Sequence, residues 1–440
     1  MENWQNYYRD HLVTMAAAAN TIKSGDSLWL GSASEIPHAL LNVLHERMEE
    51  LYDVGLIYNV CNQPDDLIFD IEAKKHFKLV SLFTLPLERI SAEMGIVSLW
   101  SNSFEFIPRA VLEIFKCTTV AVNVCPPDEE GYLNFGIYSG ATSVLIANDD
   151  KITKIIAVID RNQSPAGGDR SETCIKVSQC TYIVECDEVP IEIPGAIPTE
   201  LDEKLVEYVL PFIHDGDKLQ VGYGGLGDAV LSHLFHLNNI EIFSEVVSEC
   251  MQPLVEKGIV SKLSFASCGV GSPSFFHFLS TNDKVNVRDV SKMIDPFSIA
   301  AQDNIVAINS TFMVDLTGQA CSEAQGINQY SAVGGQFAYL YGAMKSKGGR
   351  SLLCLRSTYT DREGSLRSNI VPWLPEKSVV TTPRYLTMYI ISEYGVADVF
   401  LKTIKDRIKA LLKIAHPDFR KDLREQIIST GQIMEDDFDL

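Results

Sequence analysis

The stretch L-Q-V-G-Y-G-G-L-G-D-A-V-L, from Leu219 to Leu231, is followed by a polar break at Asn238-Asn239 and then by I-E-I-F-S-E-V-V-S-E, from Ile240 to Glu249. Its spacing predicts strand, glycine turn, helix, strand. The second strand delivers Glu245 near its end. A glycine turn leading into a helix start can hold an anion, or a developing negative charge, on backbone N–H groups. A carboxylate held opposite such donors can act as a nucleophile. The same stretch also fits G-x-G-x-x-G through Gly222, Gly224 and Gly227. Glu241 and Glu245 lie about 20 residues on, where a dinucleotide-binding fold places its ribose-binding acid. The local pattern therefore leaves two chemistries open, covalent carboxylate catalysis and nicotinamide binding.

The stretch recurs. I-K-S-G-D-S-L-W-L-G, from Ile22 to Gly31, matches I-H-D-G-D-K-L-Q-V-G, from Ile213 to Gly222, at an offset of about 190 residues. Each is followed by a short turn and an apolar helix. Such a long period excludes a solenoid and implies two related α/β halves. The first copy carries Ser32-Ala33-Ser34-Glu35 where the second carries glycines, so the active loop is expected in the second half.

Around these copies the chain alternates strand and helix. Expected strands are 55–60, 78–83, 120–124, 145–147, 155–159, 182–186, 263–268, 305–310, 351–355, 379–381 and the segment from 388. Expected helices are 1–24, 107–115, 250–256 and 403–414, the last ended by His416-Pro417-Asp418. Alternation of this kind argues for largely parallel sheets flanked by helices. Ligand sites in such sheets sit at the carboxyl ends of strands. Pro190, Pro194, Gly195 and Pro198 mark a linker over 189–199, giving expected domains 1–200 and 201–440.

Composition excludes several classes. The chain has 440 residues, 46% hydrophobic and 22% charged, as in an ordinary globular protein. A formal net charge of −21 argues against nucleic acid or an anionic membrane as partner. No apolar run reaches the roughly 18 residues of a membrane span. The first residues show no signal-peptide pattern, so a cytoplasmic location is expected. Ten cysteines occur without C-x-x-C pairs, which reads as reduced, buried thiols rather than a metal site. His233 and His236 lie on a helix and His416 at a helix end, so no Ser-His or Cys-His pair is evident. Three strand-end carboxylates stand out: Glu245, Asp315 and Glu393. For any one of them a structural ion pair or cap is the commoner role. Glu245 is singled out by two glycine turns, 222–227 and 333–335, each able to supply backbone donors.

Several further motifs occur in order: I-N-S-T-F-M-V-D-L-T-G-Q (308–319), Q-Y-S-A-V-G-G-Q-F (329–337), S-K-G-G (346–349), V-T-T-P-R (380–384) and I-S-E-Y-G-V-A (391–397). S-F-E-F-I-P-R, C-P-P-D-E-E-G-Y and Y-I-V-E-C-D match more loosely in the first half. With these motifs nearly the whole chain resembles the acetyl-CoA hydrolase/transferase family, a branch of the class I CoA-transferases. That resemblance implies Glu245 as nucleophile and Gly335 as oxyanion donor. It implies CoA contacts at Gly222, Tyr223, Gly224, Gly225, Leu226 and Lys347. It implies acyl-CoA and a short-chain carboxylate as substrates, no resident cofactor or metal, and a homodimer or larger assembly. The mechanism implied is ping-pong, through an acyl-glutamyl anhydride and a glutamyl-CoA thioester. Many family members have proline or asparagine where this chain has Gly227, a change expected to loosen the loop. Hydrolysis with water as acceptor, nicotinamide-dependent dehydrogenation and a non-catalytic sensor on the same fold are the alternatives.

Overall fold

The computed structural model describes residues 4–61, 63–188 and 195–438. Residues 189–194 of the expected linker lie outside them. The chain gathers into two compact units, 1–194 with 263–293, and 195–262 with 294–440.

The first unit is built on a parallel sheet of seven strands: β1 (Ser27–Trp29), β2 (Val54–Tyr58), β3 (Phe77–Ser81), β4 (Val97–Leu99), β5 (Thr119–Val124), β6 (Lys154–Ile159) and β7 (Tyr182–Glu185). Their order is β4-β3-β2-β1-β5-β6-β7, with neighbours parallel. Every residue of β2 and β5 is buried, the signature of a parallel strand covered on both faces. Helix α1 (His38–Glu46) buries Leu40, Leu41 and Leu44 in the core they share with Leu28, Leu56 and Leu79.

Two expectations fail here for physical reasons. The helix expected over 1–24 is two pieces, Trp4–His11 and Met15–Ala19. Between them Val13 N–H donates to Ile183 O at 2.8 Å, so the chain leaves the helix to pair with β7. Residues 145–147, expected as a strand, end helix α2 (Gly140–Ala147). Seven of its eight residues are buried, and a helix apolar all round carries no 3.6-residue period to recognise.

The later strands are β8 (Lys218–Val221), β9 (Ile240–Ser248), β10 (Val260–Val270), β11 (Val285–Val287), β12 (Ile305–Ser310), β13 (Arg350–Cys354), β14 (Tyr389–Ser392) and β15 (Gly395–Asp398). The second unit holds β10-β9-β8-β12-β13-β14-β15 in that order, with only the first three residues of β10. The remainder of β10 pairs parallel with β11 inside the first unit. β14 and β15 are antiparallel. In each sheet the strand that comes first in sequence is interior, with the next three strands in order on one side and the later ones on the other. The sequence repeat is thus a repeat of topology. Helices α3 (Gly225–Ser232), α4 (Gln336–Lys345), α5 (Ile404–Ile414) and α6 (Pro417–Ser429) complete the parts used below. α5 ends at Ile414 as expected, and Pro417 opens α6, with His416 Nδ1 accepting from Asp418 N–H. Residues 379–381 form no strand, although Thr381 N–H does donate to Ala320 O at 3.0 Å.

The turn between β8 and α3 needs two of its glycines outright. Gly224 has φ +135°, open only to glycine at little cost. A Cβ on Gly227 would overlap the Gly222 carbonyl oxygen. Gly227 therefore lets α3 close onto the end of β8; it does not loosen the loop. Gly227→Ala should cost about 1–3 kcal/mol of stability, measured by urea unfolding; an unchanged midpoint would contradict the packing described.

Candidate active site

The three strand-end acids differ in how fully the protein satisfies them. Asp315 is buried and accepts from Thr317 N–H (2.9 Å), Thr317 Oγ1 (2.7 Å), Gln319 N–H (3.1 Å) and Gln319 Nε2 (2.7 Å). Glu393 takes Ser357 N–H at 2.9 Å and Ser357 Oγ at 2.5 Å. Asp315 closes a local turn with both oxygens bonded, and Glu393 ties its strand end to Ser357 with one bond to each oxygen.

Glu245 is held differently. The Gly335 N–H donates to its carboxyl, and burial is the larger influence, lifting its pKa to about 7. Desolvation penalises the charged form, and the single backbone donor at the start of α4 returns only part of that cost. The residue keeps some exposed surface while its carboxyl group is crowded by protein. A Cβ on Gly335 would overlap Glu245 Oε2, and it would stand 3.2 Å from both Ile294 Cγ2 and Tyr339 Cε2. Only glycine lets the helix start come this close.

The supports on both sides are hydrogen-bonded. Ser244, fully buried, accepts from Val221 N–H (3.3 Å) and donates to Val221 O (3.1 Å), locking β9 to the end of β8. Ser248 Oγ donates to Asp228 Oδ1 at 2.7 Å, tying the end of β9 to α3. Gln336 Nε2 donates to Ser310 O at 2.9 Å, and Thr382 Oγ1 donates to Gln336 Oε1 at 3.3 Å. These two bonds fix the first residue of α4 against the end of β12, and Gly335 with it.

The glycine turn lies beside the acid. β8 and β9 are in register at Lys218↔Glu241 and Leu219↔Ile242; continued by the same offset, Gly222 falls opposite Glu245. Gly222 N–H donates to Ile308 O at 2.9 Å. Gly225 is pressed against Asp202 and the Ile197 carbonyl, Tyr223 is exposed, and Leu226 turns into the core. Lys347 is not brought to Glu245. It follows the far end of α4, ten residues or about 15 Å along the helix from Gly335. There it is exposed and 3.6 Å from Asp303. Glu241, the other acid of the dinucleotide pattern, sits early in β9 and pairs with Lys218 at 3.4 Å, not at the carboxyl end where a ribose is bound. His233 pairs with Glu203 at the surface. Among the described residues no three His, Cys, Asp or Glu are grouped to hold a metal ion, and no helix is long and apolar enough to cross a membrane.

Sequence reasoning missed Ser244, Gln336 and Tyr339. Ser244 and Gln336 lie inside quoted motifs, but only the folded chain gives their partners. Tyr339, four residues after Gly335, has the one-turn spacing that places both on one helix face.

Comparison with known proteins finds relatives over nearly the full length. The acetyl-CoA hydrolase/transferase N-terminal domain matches residues 1–194 and the C-terminal domain of the same family matches 271–427. The chain is 30% identical to a succinyl-CoA:cyclohexane-1-carboxylate CoA transferase of Geobacter metallireducens, covering 96% of each. It is 30% identical to a 4-hydroxybutyrate coenzyme A transferase of Clostridium kluyveri, covering 96% of this chain and 98% of the relative. Among solved structures, RipA from Yersinia pestis superposes with a TM-score of 0.88 at 28% identity, covering 98% of this chain and 100% of that one. A 4-hydroxybutyrate CoA-transferase from Porphyromonas gingivalis gives 0.79 at 27%, covering 97% and 100%. With both halves matched and full-length relatives whose names specify CoA transfer, the chain belongs to the acetyl-CoA hydrolase/transferase family.

Proposed function

We propose that this enzyme moves CoA between a short-chain acyl-CoA and a free carboxylate of the acetate, butyrate or 4-hydroxybutyrate type, with Glu245 as the covalent carrier. The observation that carries this reading is the state of Glu245: a crowded carboxyl with one backbone donor and a pKa of about 7. At neutral pH a large fraction is ionised. The anion is poorly solvated, which favours attack on a carbonyl.

Glu245 attacks the thioester carbon; the C–S bond breaks and CoA leaves as thiolate, giving a mixed anhydride. The thiolate sulfur then attacks the glutamyl carbon. The glutamyl C–O bond breaks, the first acid leaves with the electron pair, and a glutamyl-CoA thioester remains. A second carboxylate reverses both steps. No net proton is needed in this sequence of steps. The Gly335 N–H that holds the resting carboxylate is placed to bond an oxyanion on the same group, a role typically worth about 3–4 kcal/mol. The turn at Gly222, Tyr223, Gly224, Gly225 and Leu226 is proposed to receive CoA through backbone N–H groups beyond that of Gly222, which is committed to Ile308 O. Lys347 is proposed to meet only a distant, phosphate-bearing part of that ligand. We place the nucleophile-bearing domain at 201–440, the site of action in the cytoplasm and the working form as a homodimer or larger. Hydrolysis is the second reading, because water admitted beside the glutamyl thioester would intercept it at the same carbon.

Glu245→Ala should abolish transfer while leaving the fold intact; near-normal turnover in a coupled CoA-exchange assay would overturn the assignment. Glu245→Asp, short by one methylene, should lose most transfer and keep thioester hydrolysis through the water its gap admits. In the wild type, kcat/KM should rise with pH and level off above about 7, as the nucleophile ionises. Stability should run the other way. A carboxyl whose folded pKa is raised from 4.5 to about 7 favours the protonated folded state. Its contribution is fully present below about 4.5 and lost as pH rises through 7. Glu245→Gln should therefore be more stable than wild type at pH 8.5, by about 1–2 kcal/mol after allowance for partial solvent access. The difference should disappear near pH 4.5; equal melting temperatures at both pH values would contradict the burial described.

A further inference from the structure

Helix α4 carries a second group toward Glu245. Tyr339 follows Gly335 by one turn, and its N–H donates to the Gly335 carbonyl at 3.0 Å. Its side chain is fully buried. The ring edge lies 3.2 Å from the point where a Gly335 Cβ would stand, the same point that Glu245 Oε2 crowds. The Tyr339 hydroxyl has no hydrogen-bond partner among the described residues. Phenylalanine would fill the same space without burying a polar atom, and a buried hydroxyl left unpaired is costly. A tyrosine in this position calls for a partner that arises during the reaction.

The chemistry supplies one. Transfer through Glu245 generates two kinds of oxyanion, one on the acyl carbon of the substrate and one on the glutamyl carbon when thiolate attacks the anhydride. Gly335 N–H is one donor at the glutamate, and the resting carboxylate already uses it. We propose that the Tyr339 hydroxyl is the second donor to the oxyanion on the glutamyl carbon, making Tyr339 a catalytic residue on the protein side of the nucleophile. The inference rests on Glu245 being the nucleophile. As the glutamyl carbon becomes tetrahedral, its oxygen takes hydrogen bonds from Gly335 N–H and Tyr339 O–H. It then collapses with expulsion of the carboxylate, and the phenol proton stays on Tyr339 throughout. Burial and the nearby Glu245 charge both push the phenol pKa well above its usual value, so the group remains a donor across the working range. The aliphatic neighbour Ile294, whose Cγ2 stands 3.2 Å from the same Gly335 Cβ point, offers no hydrogen bond in its place.

Tyr339→Phe, Glu245→Ala and wild type should be compared in steady-state CoA exchange and in thermal melts. The expected result for Tyr339→Phe is a kcat lower by about 10- to 100-fold, a KM for acyl-CoA within about threefold of wild type, and a melting temperature equal or higher. A kcat within twofold of wild type would overturn the proposal. A melting temperature lower by more than about 5 °C would also overturn it, since the hydroxyl would then have a structural partner. Glu245→Ala separates the two levels. If that variant still turns over, the nucleophile assignment fails and the tyrosine with it; if it is dead while Tyr339→Phe is normal, only the tyrosine proposal fails.

Discussion

A carboxylate taken largely out of water and given a single backbone hydrogen bond is unstable as an anion, and the second unit is arranged to tolerate it. Glu245 stands near the end of β9, which pairs with β8 in the same unit. The Ser244 hydroxyl fixes β9 to β8 on one side, and the Gln336 amide fixes α4 to β12 on the other. Between these anchors Gly335 has no room for a side chain. Each local choice serves to bring a helix start within bonding distance of one carboxyl. The charge is held, but only just, and a group in that condition is suited to covalent exchange.

The two halves share a strand order, yet only one keeps its turn open. After β1, Glu35 folds back into the turn and its Oε2 accepts from Ser32 N–H at 2.9 Å. That carboxyl is fully buried, and burial pushes its pKa well above the usual range. In the first half the turn is filled by the chain's own buried acid. In the second half glycines occupy the corresponding turn, no side chain folds back, and the acid arrives from the next strand. The two frames are similar in strand order, and a shift in where the carboxylate is carried separates the half that packs from the half proposed to react.

Much of this was legible in the sequence because it rests on local rules. The repeat at Ile22 and Ile213, the strand–turn–helix around Gly222 and the parallel character of the long apolar strands follow from periodicity and glycine placement. Asp315 and Glu393 could be named as strand-end acids, but not told apart from Glu245. That distinction depends on partners such as Thr317, Gln319 and Ser357, whose hydrogen bonds exist only in the fold. The helix at 140–147 was misread because a segment buried all round has no amphipathic period. Gly227 was misread because its need for glycine comes from the Gly222 carbonyl, five residues away along a turn. Lys347, implied as a CoA contact, follows a ten-residue helix that starts at Gln336, a separation from Gly335 that only the fold displays. Tyr339 carries no sequence signal beyond its spacing, since an apolar-helix tyrosine is ordinary until its hydroxyl is found unpaired.

The most direct measurement is intact mass followed by peptide mapping after the protein is mixed with acetyl-CoA or butyryl-CoA and the adduct is trapped with borohydride or hydroxylamine. Modification confined to Glu245 is the result this account predicts. Trapped label on any other residue, with Glu245 unmodified during active turnover, would contradict it.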